Sequence, residues 1–291
     1  MQTAIALSLI TMVLFGTANV LQKIPVNRIG AVKFISSRGL ITSLITFFFA
    51  CINFKTSVIL DPITLLLGVL LAAVSYLGLY FFNMGLSKSK AGIVIPISFS
   101  RVIFTTLIGI LFLGEIVKTA RLFWMLPIIA GVILVSLDLK ALKVKDEILR
   151  QGIIYSLLAA FFWGITIPLF GLFSNKLGLF TYAFIIEFTV LIISLIQTKI
   201  SNRKQPLLPT KSELKQSWKV ILLVSAAGAF ASITMNAAYA TGLITIVAAI
   251  TSISPLVSIL IGRLFLHEKM NAQQYFGAVV IIMGVIGISL S

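Results

Sequence analysis

The sequence predicts an all-α integral membrane protein with ten transmembrane helices, built as two inverted five-helix repeats. The first observation is composition: 59% of the 291 residues are hydrophobic and 11% are charged, with a mean hydropathy of +1.12. Polar groups are too few to cover this apolar surface in water. The second is that apolar runs of about 20 residues, the length that crosses a bilayer, recur along the whole chain. The third is an internal repeat.

The apolar runs end at basic or turn-forming clusters such as Asp61-Pro62, as transmembrane helices do. Pro96, Pro168 and Pro255 fall inside runs, where they predict interruptions of the helical hydrogen-bond ladder. We expect the spans at about residues 3–22, 33–54, 62–86, 91–113, 120–138, 151–174, 179–198, 217–242, 244–265 and 271–290.

The clearest part of the repeat is the segment 83–115, which aligns without a gap with 236–268, 153 positions further along the chain. Both copies begin with Asn and end with Phe-Leu-x-Glu. Phe15-Gly16 aligns in the same way with Trp163-Gly164, at an offset of 148. A repeat of this length identifies the structural unit before any single residue is interpreted.

These offsets divide the chain into two halves, 1–145 and 146–291, each with five predicted spans. The small difference between the offsets is absorbed by the long gap 198–218, which precedes the eighth span. Because five is an odd number of crossings, the second half must enter the membrane from the opposite face. The sequence therefore predicts an inverted-topology repeat.

The basic residues predict the orientation of the chain. The gaps after odd-numbered spans hold 16 Lys and Arg residues, whereas the gaps after even-numbered spans hold 4. By the positive-inside rule the odd gaps are cytoplasmic and both termini lie outside. The net charge of +15 is thus an orientation signal rather than a nucleic-acid surface. The basic gap 198–218 could also attract anionic lipid headgroups, although its role in topology is the simpler interpretation.

Few residues are available for other chemistry. The lone cysteine, Cys51, excludes an internal disulfide and a thiolate metal cluster. His267 is the only histidine, and the chain contains no Ser/His/Asp set, phosphate-binding loop or dinucleotide fingerprint. We therefore expect no enzyme activity, no metal and no cofactor. Residues 1–22 lack a basic start and are long enough to span, so we expect a retained first helix rather than a cleaved signal peptide.

Charged residues inside apolar spans are the first candidates for function, because a charge at bilayer depth requires a partner or a water-filled cavity. Arg101 lies near the middle of the fourth span. Its planar guanidinium suits a substrate carboxylate or phosphate. The alternative is that Arg101 pairs with Glu187, the only acid well inside a span, and merely stabilises helix packing.

Glu187 and Arg38 are candidates for coupling or gating. A carboxyl group removed from water binds a proton more readily, so Glu187 could load and release one. Arg38 is its counterpart in the other half, within one residue. This opposition is typical of an ion pair across the two halves or of two gates. Arg38 lies only about six residues into its span, however, and we expect it to reach the membrane interface.

Uncharged polar and aromatic residues complete the candidate set for a substrate cavity. Asn83 and Asn236 are repeat mates whose amides could contact a solute or hold helices together. Trp163, Tyr80 and Tyr239 could line a cavity for an apolar or aromatic solute. Contacts with lipid and with neighbouring helices are the alternative role for these rings.

The repeat and its motifs resemble the drug/metabolite transporter (DMT) superfamily, EamA type. The resemblance rests on Phe15-Gly16 and Trp163-Gly164 in each first helix, and on Leu-Phe-Leu-Gly-Glu at 111–115 and Leu-Phe-Leu-His-Glu at 264–268. It covers nearly the whole chain. It implies a ten-helix inverted repeat around a central cavity, lined by the third, fourth, eighth and ninth helices beside the first and sixth. Many similar transporters keep both termini in the cytoplasm, which is the reverse of the orientation that the charges predict.

The resemblance implies a secondary active transporter that exports or exchanges a small organic solute across the cytoplasmic membrane by alternating access. Protons are a candidate coupling ion. The expected partners are a small-molecule solute and the lipid bilayer, and no nucleic acid; the oligomeric state is left open. One alternative is an exchanger of anionic or phosphorylated metabolites anchored by Arg101. The other is a membrane scaffold that transports nothing.

Overall fold

The computed structural model of the protein describes residues 2–52, 61–114, 119–136, 147–201, 206, 208–215, 217–241, 244–251, 253–267 and 271–290. Across these ranges every regular element is a helix.

The first half contains α1 (Gln2–Leu21), α2 (Lys23–Ile29), α3 (Ala31–Ile52), α4 (Pro62–Lys88), α5 (Ala91–Phe99), α6 (Val102–Leu113) and α7 (Thr119–Ser136). The second half contains α8 (Glu147–Thr166), a 3-10 turn (Ile167–Leu169), α9 (Phe170–Leu177), α10 (Leu179–Ser201), α11 (Lys211–Lys215), α12 (Trp218–Thr241), α13 (Ile244–Thr251), α14 (Ser254–Ile261), a π-helical segment (Gly262–Leu266) and α15 (Ala272–Leu290).

The helices have the length and surface of membrane spans. In the described ranges, seven helical stretches are long and apolar enough to cross a membrane, and two shorter apolar stretches are Ser254–Leu266 and Tyr275–Gly284. Large apolar side chains such as Leu44 and Phe48 are exposed on the outside, where only lipid can accommodate a surface of this kind. The protein is therefore a multi-pass integral membrane protein. The number of ten crossings stays a prediction.

Three of the predicted spans are interrupted, each beside a proline. In the fourth span α5 ends at Phe99, after Pro96, and α6 begins at Val102. In the sixth span Pro168 lies in the 3-10 turn between α8 and α9. In the ninth span Pro255 lies in the first turn of α14, where a missing N–H breaks no helical hydrogen bond. The interruption of the fourth span matters most, because it places Arg101 at a helix end inside the membrane.

The largest helix–helix interfaces join one half of the chain to the other. Helix α1 packs on α12 and α8 packs on α4, so each first span lies against the third span of the opposite half. Helix α3 packs on α10, and α7 packs on α15. These pairings are reciprocal, as expected for two halves related by a pseudo-twofold axis. The buried apolar clusters draw most of their residues from one half and are completed by residues of the other, such as Ala159 in one cluster and Ala72 in another.

Gly164 in α8 shows how closely the halves approach. A Cβ at this position would lie 2.4 Å from the Cβ of Phe104 and 2.9 Å from the carbonyl oxygen of Arg101. The Thr105 hydroxyl donates a hydrogen bond to the Gly164 carbonyl at 3.2 Å. Only glycine permits such an approach of helix α8 to the start of α6.

Gly16 in α1 makes the same contacts in the other half. Its Cβ would lie 2.6 Å from the Cβ of Val257 and 3.0 Å from the carbonyl oxygen of Ser254. The Ser258 hydroxyl donates to the Gly16 carbonyl at 2.8 Å. These three partners lie 153 positions after the partners of Gly164, which is the offset of the sequence repeat. The sequence repeat therefore corresponds to a repeat of the same helix–helix contacts in the structure.

Segments that follow odd-numbered spans meet at one end of the molecule. Lys23 donates to the carbonyl of Ser89 at 2.8 Å, and Lys33 pairs with Glu213 at 3.1 Å. Glu213 also caps α11 reciprocally with Thr210, forming a capping box. The Thr210 backbone N–H, with help from Lys33, holds the pKa of the Glu213 carboxyl below its usual value.

Segments that follow even-numbered spans meet at the opposite end. Asp61 accepts a hydrogen bond from the Thr64 backbone N–H at 3.0 Å and so caps α4. Contacts with Thr64 lower the pKa of the Asp61 carboxyl, and the nearby Lys176 lowers it further. Lys176 follows the sixth span, so the second and sixth gaps share this end. Which end faces the cytoplasm stays a prediction.

Candidate functional site

A cavity lies between the two halves. It offers about 80 Å³ of water-accessible space, enough for several water molecules. Its walls come from α1, α3, α4, α8, α9, α10 and α12, together with Arg101 at the interruption of the fourth span. Both halves therefore contribute residues to the cavity, as expected from their reciprocal packing.

An ion pair between Arg38 and Glu187 forms one wall of this cavity. Arg38 Nη1 donates to Glu187 Oε2 at 3.1 Å, and Nη2 donates to Oε1 at 3.3 Å. The Thr42 hydroxyl lies 2.9 Å from Oε2, within donating distance. Such bidentate, charge-assisted bonds are among the strongest that side chains make.

The expectation that Arg38 reaches the membrane interface is wrong. Its side chain is buried, with 8% of the residue exposed, and Glu187 is 3% exposed. Because α3 packs on α10, the guanidinium finds a carboxylate partner inside the membrane, which offsets the loss of water. The pair links the second spans of the two halves, at positions that the repeat relates within one residue.

Arg101 is the third charged residue of the cavity. It is 4% exposed, and its guanidinium carbon lies 4.5 Å from the ring centroid of Phe99 and 5.7 Å from that of Trp163. Rings at these distances stabilise a cation through their negative faces. Its Nη2 nevertheless has no hydrogen-bond partner. The alternative in which Arg101 pairs with Glu187 is wrong, because Arg38 occupies both oxygens of that carboxylate.

The other described carboxylates are also engaged elsewhere. Glu213 pairs with Lys33, Glu147 pairs with Arg150, and Asp61 caps a helix. Within the described part of the chain, no carboxylate forms an ion pair with Arg101. The cavity thus combines one neutralised pair with one cation that lacks an anionic partner among these residues.

Of the predicted cavity aromatics, Trp163 lines the cavity and the two tyrosines do not. The indole ring of Trp163 is held against Gly78, where a Cβ would lie 2.4 Å from it. Tyr80 stacks on Tyr76, with ring centroids 6.3 Å apart. Tyr239 is buried, and its main chain packs against Gly171.

Asn83 and Asn236 are fully buried in helix packing and are not among the residues that line the cavity. Asn83 Nδ2 donates to the carbonyl of Leu79 at 2.8 Å. The Oδ1 of Asn83 and both amide atoms of Asn236 have no hydrogen-bond partner. Whether either amide contacts a solute stays a prediction.

Two cavity residues at the end of the first span were missed by sequence reasoning. Asn19 and Gln22 line the cavity, and Gln22 Nε2 donates to Asn19 Oδ1 at 3.3 Å. Their spacing was a usable signal, because residues three apart share one face of a helix and these two amides interrupt an apolar run. Ser75 and Ser232 also line the cavity and contribute hydroxyl groups.

A helical membrane protein whose two halves enclose a charged cavity has the build of a membrane transporter. Residues 2–137 and 150–290 match the sequence profile of the EamA-like transporter family. The chain belongs to this family and is a membrane transporter of the drug/metabolite type, a class of transporters rather than enzymes. The resemblance identified from the sequence motifs is thereby confirmed.

Two further comparisons cover different shares of the chain. An uncharacterized protein of Methanocaldococcus jannaschii, MJ1333.1, is 28% identical over 138 residues, which are 47% of this chain and 99% of that protein. A solved crystal structure of a protein superposes with a TM-score of 0.74 at 13% sequence identity, over 99% of this chain and 97% of the other. At that identity the superposition shows a shared fold alone.

Proposed function

We propose that this protein is a secondary active transporter that exports or exchanges a small organic solute across the cytoplasmic membrane. In this proposal ten transmembrane helices form two inverted five-helix repeats, 1–145 and 146–291, that rock against each other. The observation that carries it is the cavity between the halves, which contains Arg38, Arg101 and Glu187. A scaffold would have no need to keep three charged residues around a water-accessible space inside the membrane.

The packing supports alternating access. The α1–α12 and α8–α4 interfaces are reciprocal, so rocking can open one end of the cavity while the other closes. The interruptions beside Pro96, Pro168 and Pro255 supply points where helices can bend without breaking further hydrogen bonds. The Arg38–Glu187 pair bridges the halves and must adjust during such a motion.

Alternating access predicts that a cavity thiol reacts from either face of the membrane. In a background with Cys51→Ala, Ser75→Cys should be labelled by a charged, membrane-impermeant methanethiosulfonate reagent added to either side of sealed vesicles, because Ser75 lines the cavity. Leu44→Cys is the matched control and should stay unlabelled, because Leu44 is 62% exposed on the lipid-facing surface. The rate of labelling, followed by mass spectrometry, measures the effect.

Labelling of Ser75→Cys from a single face under all conditions would contradict alternating access. The vesicles should also remain impermeable to the reagent throughout, which a continuous pore would not allow. Reaction from neither face would favour the scaffold alternative.

Proton coupling through Glu187 is part of the proposal. While the pair with Arg38 is closed, proton binding would leave the guanidinium buried without a partner, so a proton can enter only when rocking exposes the pair to water. The ratio of labelling from the two faces should therefore change with pH. Glu187→Gln should make that ratio independent of pH, whereas Glu187→Asp should keep the dependence. An unchanged pH profile in Glu187→Gln would remove this residue from the coupling step.

A further inference from the structure

We propose that Arg101 is the anchor of a monoanion site in the central cavity, and that the solute is a monocarboxylate with a flat apolar body. This inference rests on the proposed transport function, since it names the class of solute. It starts from one observation: Arg101, which is 4% exposed, lines the cavity and has an Nη2 without a hydrogen-bond partner among the described residues. A buried donor without a partner is strongly disfavoured, so this one requires a ligand or, between transport events, a water molecule.

The charges of the cavity set the charge of the ligand. Arg38 and Glu187 neutralise each other through two hydrogen bonds, so Arg101 supplies a net charge of about +1. A single carboxylate would neutralise that charge and match the planar fork of donors. A doubly charged phosphate would leave a surplus negative charge away from bulk water.

Arg101 is held in place before any ligand arrives. It lies between α5 and α6, and its carbonyl oxygen is covered by Gly164. Phe99 covers the guanidinium at 4.5 Å. Because the main chain and the side chain are both confined, the cation cannot withdraw to the membrane interface. Binding of a ligand therefore costs little conformational entropy of the Arg101 side chain.

The remaining walls favour an apolar body. Phe15, Trp163 and Phe170 line the cavity, together with aliphatic side chains such as Leu79. Trp163 joins the two features, because its ring faces the guanidinium at 5.7 Å and also belongs to the cavity wall. One cation beside aromatic surfaces matches the chemistry of a flat ring attached to a carboxylate by a short linker, and the cavity of about 80 Å³ must widen to enclose such a solute.

A zwitterion fits less well. Its ammonium group would meet neutral acceptors such as Gln22 and Ser75, but the cavity carboxylate of Glu187 already accepts two hydrogen bonds from Arg38 and has the Thr42 hydroxyl at 2.9 Å, so the added positive charge would not be neutralised. The site therefore distinguishes a monoanion from an amino acid of the same shape. It should also reject the neutral amide, which cannot neutralise Arg101.

The test is a binding series on the purified full-length protein in detergent. The probes are 3-phenylpropionate, its neutral amide 3-phenylpropanamide, the zwitterion phenylalanine and the dianion phenyl phosphate, measured by isothermal titration calorimetry at one pH. We expect the carboxylate to bind more tightly than the other three by roughly 10- to 100-fold, the range that hydrogen bonds to a charged buried group support. Equal affinities, tighter binding of another probe or no binding of the carboxylate would overturn the proposal.

Variants locate the site. Arg101→Gln should abolish the preference for the carboxylate, and Arg101→Lys, which keeps the charge without the fork, should retain part of it. Arg263→Gln is the matched control, because Arg263 is exposed and its loss removes the same charge elsewhere. A preference that survives in Arg101→Gln would overturn the assignment. The probe series in the unaltered protein tests the proposal even where a variant fails to fold.

The outcome can be separated from that of the transport proposal. Binding in detergent requires no membrane and no rocking of the halves, whereas the Ser75→Cys labelling requires both. Carboxylate selectivity without labelling from two faces would uphold the anion site and contradict transport by alternating access. Labelling of Ser75→Cys from both faces without selectivity for the carboxylate would uphold transport by alternating access and contradict the anion site.

Discussion

Glu187→Gln should destabilise the protein by about 3–5 kcal/mol, because it leaves the Arg38 guanidinium buried without its carboxylate. The amide still fills the space and can accept one hydrogen bond, but it cannot neutralise the charge. Equilibrium unfolding in mixed micelles of mild detergent and sodium dodecyl sulfate measures the change in the free energy of unfolding.

Two comparison variants make this result specific. Arg38→Met combined with Glu187→Leu should recover most of the loss, since replacing both charges by apolar side chains of similar volume is often neutral or stabilising. Glu147→Gln breaks the Arg150–Glu147 pair, whose side chains are 70% and 56% exposed, and should change stability by no more than about 1 kcal/mol. If Glu187→Gln costs as little as Glu147→Gln, water reaches the cavity pair in the resting protein.

Gly164→Ala should destabilise the protein by about 1–3 kcal/mol although alanine is the better helix former. The added Cβ would meet the Phe104 Cβ at 2.4 Å and the Arg101 carbonyl oxygen at 2.9 Å, and a main-chain atom cannot move aside as a flexible side chain can. Helices α8 and α6 must then separate. The same unfolding measurement reports the loss.

Gly262→Ala is the control for this substitution. Among the described residues its Cβ would meet the Cγ2 of Val20 alone, at 3.2 Å, so the neighbour can adjust and the change should be close to neutral. Gly16→Ala, at the position related to Gly164 by the repeat, should behave like Gly164→Ala, because it meets the Ser254 carbonyl oxygen at 3.0 Å. A neutral Gly164→Ala would mean that the halves pack less closely than the structure indicates.

The repeat was the most informative property of the sequence. Matching residues at fixed offsets aligned Gly16 with Gly164, and they placed Arg101 at the same repeat position as Ser254 although those two residues differ. These positions make equivalent contacts between the halves. Residues that pack at a pseudo-twofold interface must keep compatible sizes in both copies of the repeat. The two copies therefore stay similar at these positions, and the similarity can be detected within one sequence.

The depth of Arg38 and the wall of the cavity could not be predicted in the same way. Counting residues along a span gives the distance to the membrane interface, but it does not show which side chains the neighbouring helix presents. Here the neighbouring helix presents Glu187, which pairs with Arg38. Helices in lipid are apolar on nearly every side, so few polar residues mark the face that lines a cavity, and the pair Asn19 and Gln22 was the exception. Asn83 gave no comparable signal that it packs between helices and does not line the cavity.

The contacts between the halves also depend on the two halves being different in sequence. Two identical half-length chains could form the same interlocked assembly as an antiparallel pair, but such a pair would place equal residues at related positions. Arginine would then face arginine, or glutamate would face glutamate, where Arg38 now faces Glu187. Likewise a second arginine would stand at the position of Ser254, which the repeat aligns with Arg101. Covalent fusion allows the copies to diverge, and the divergence is what produces a neutral pair and a single remaining cation in one cavity.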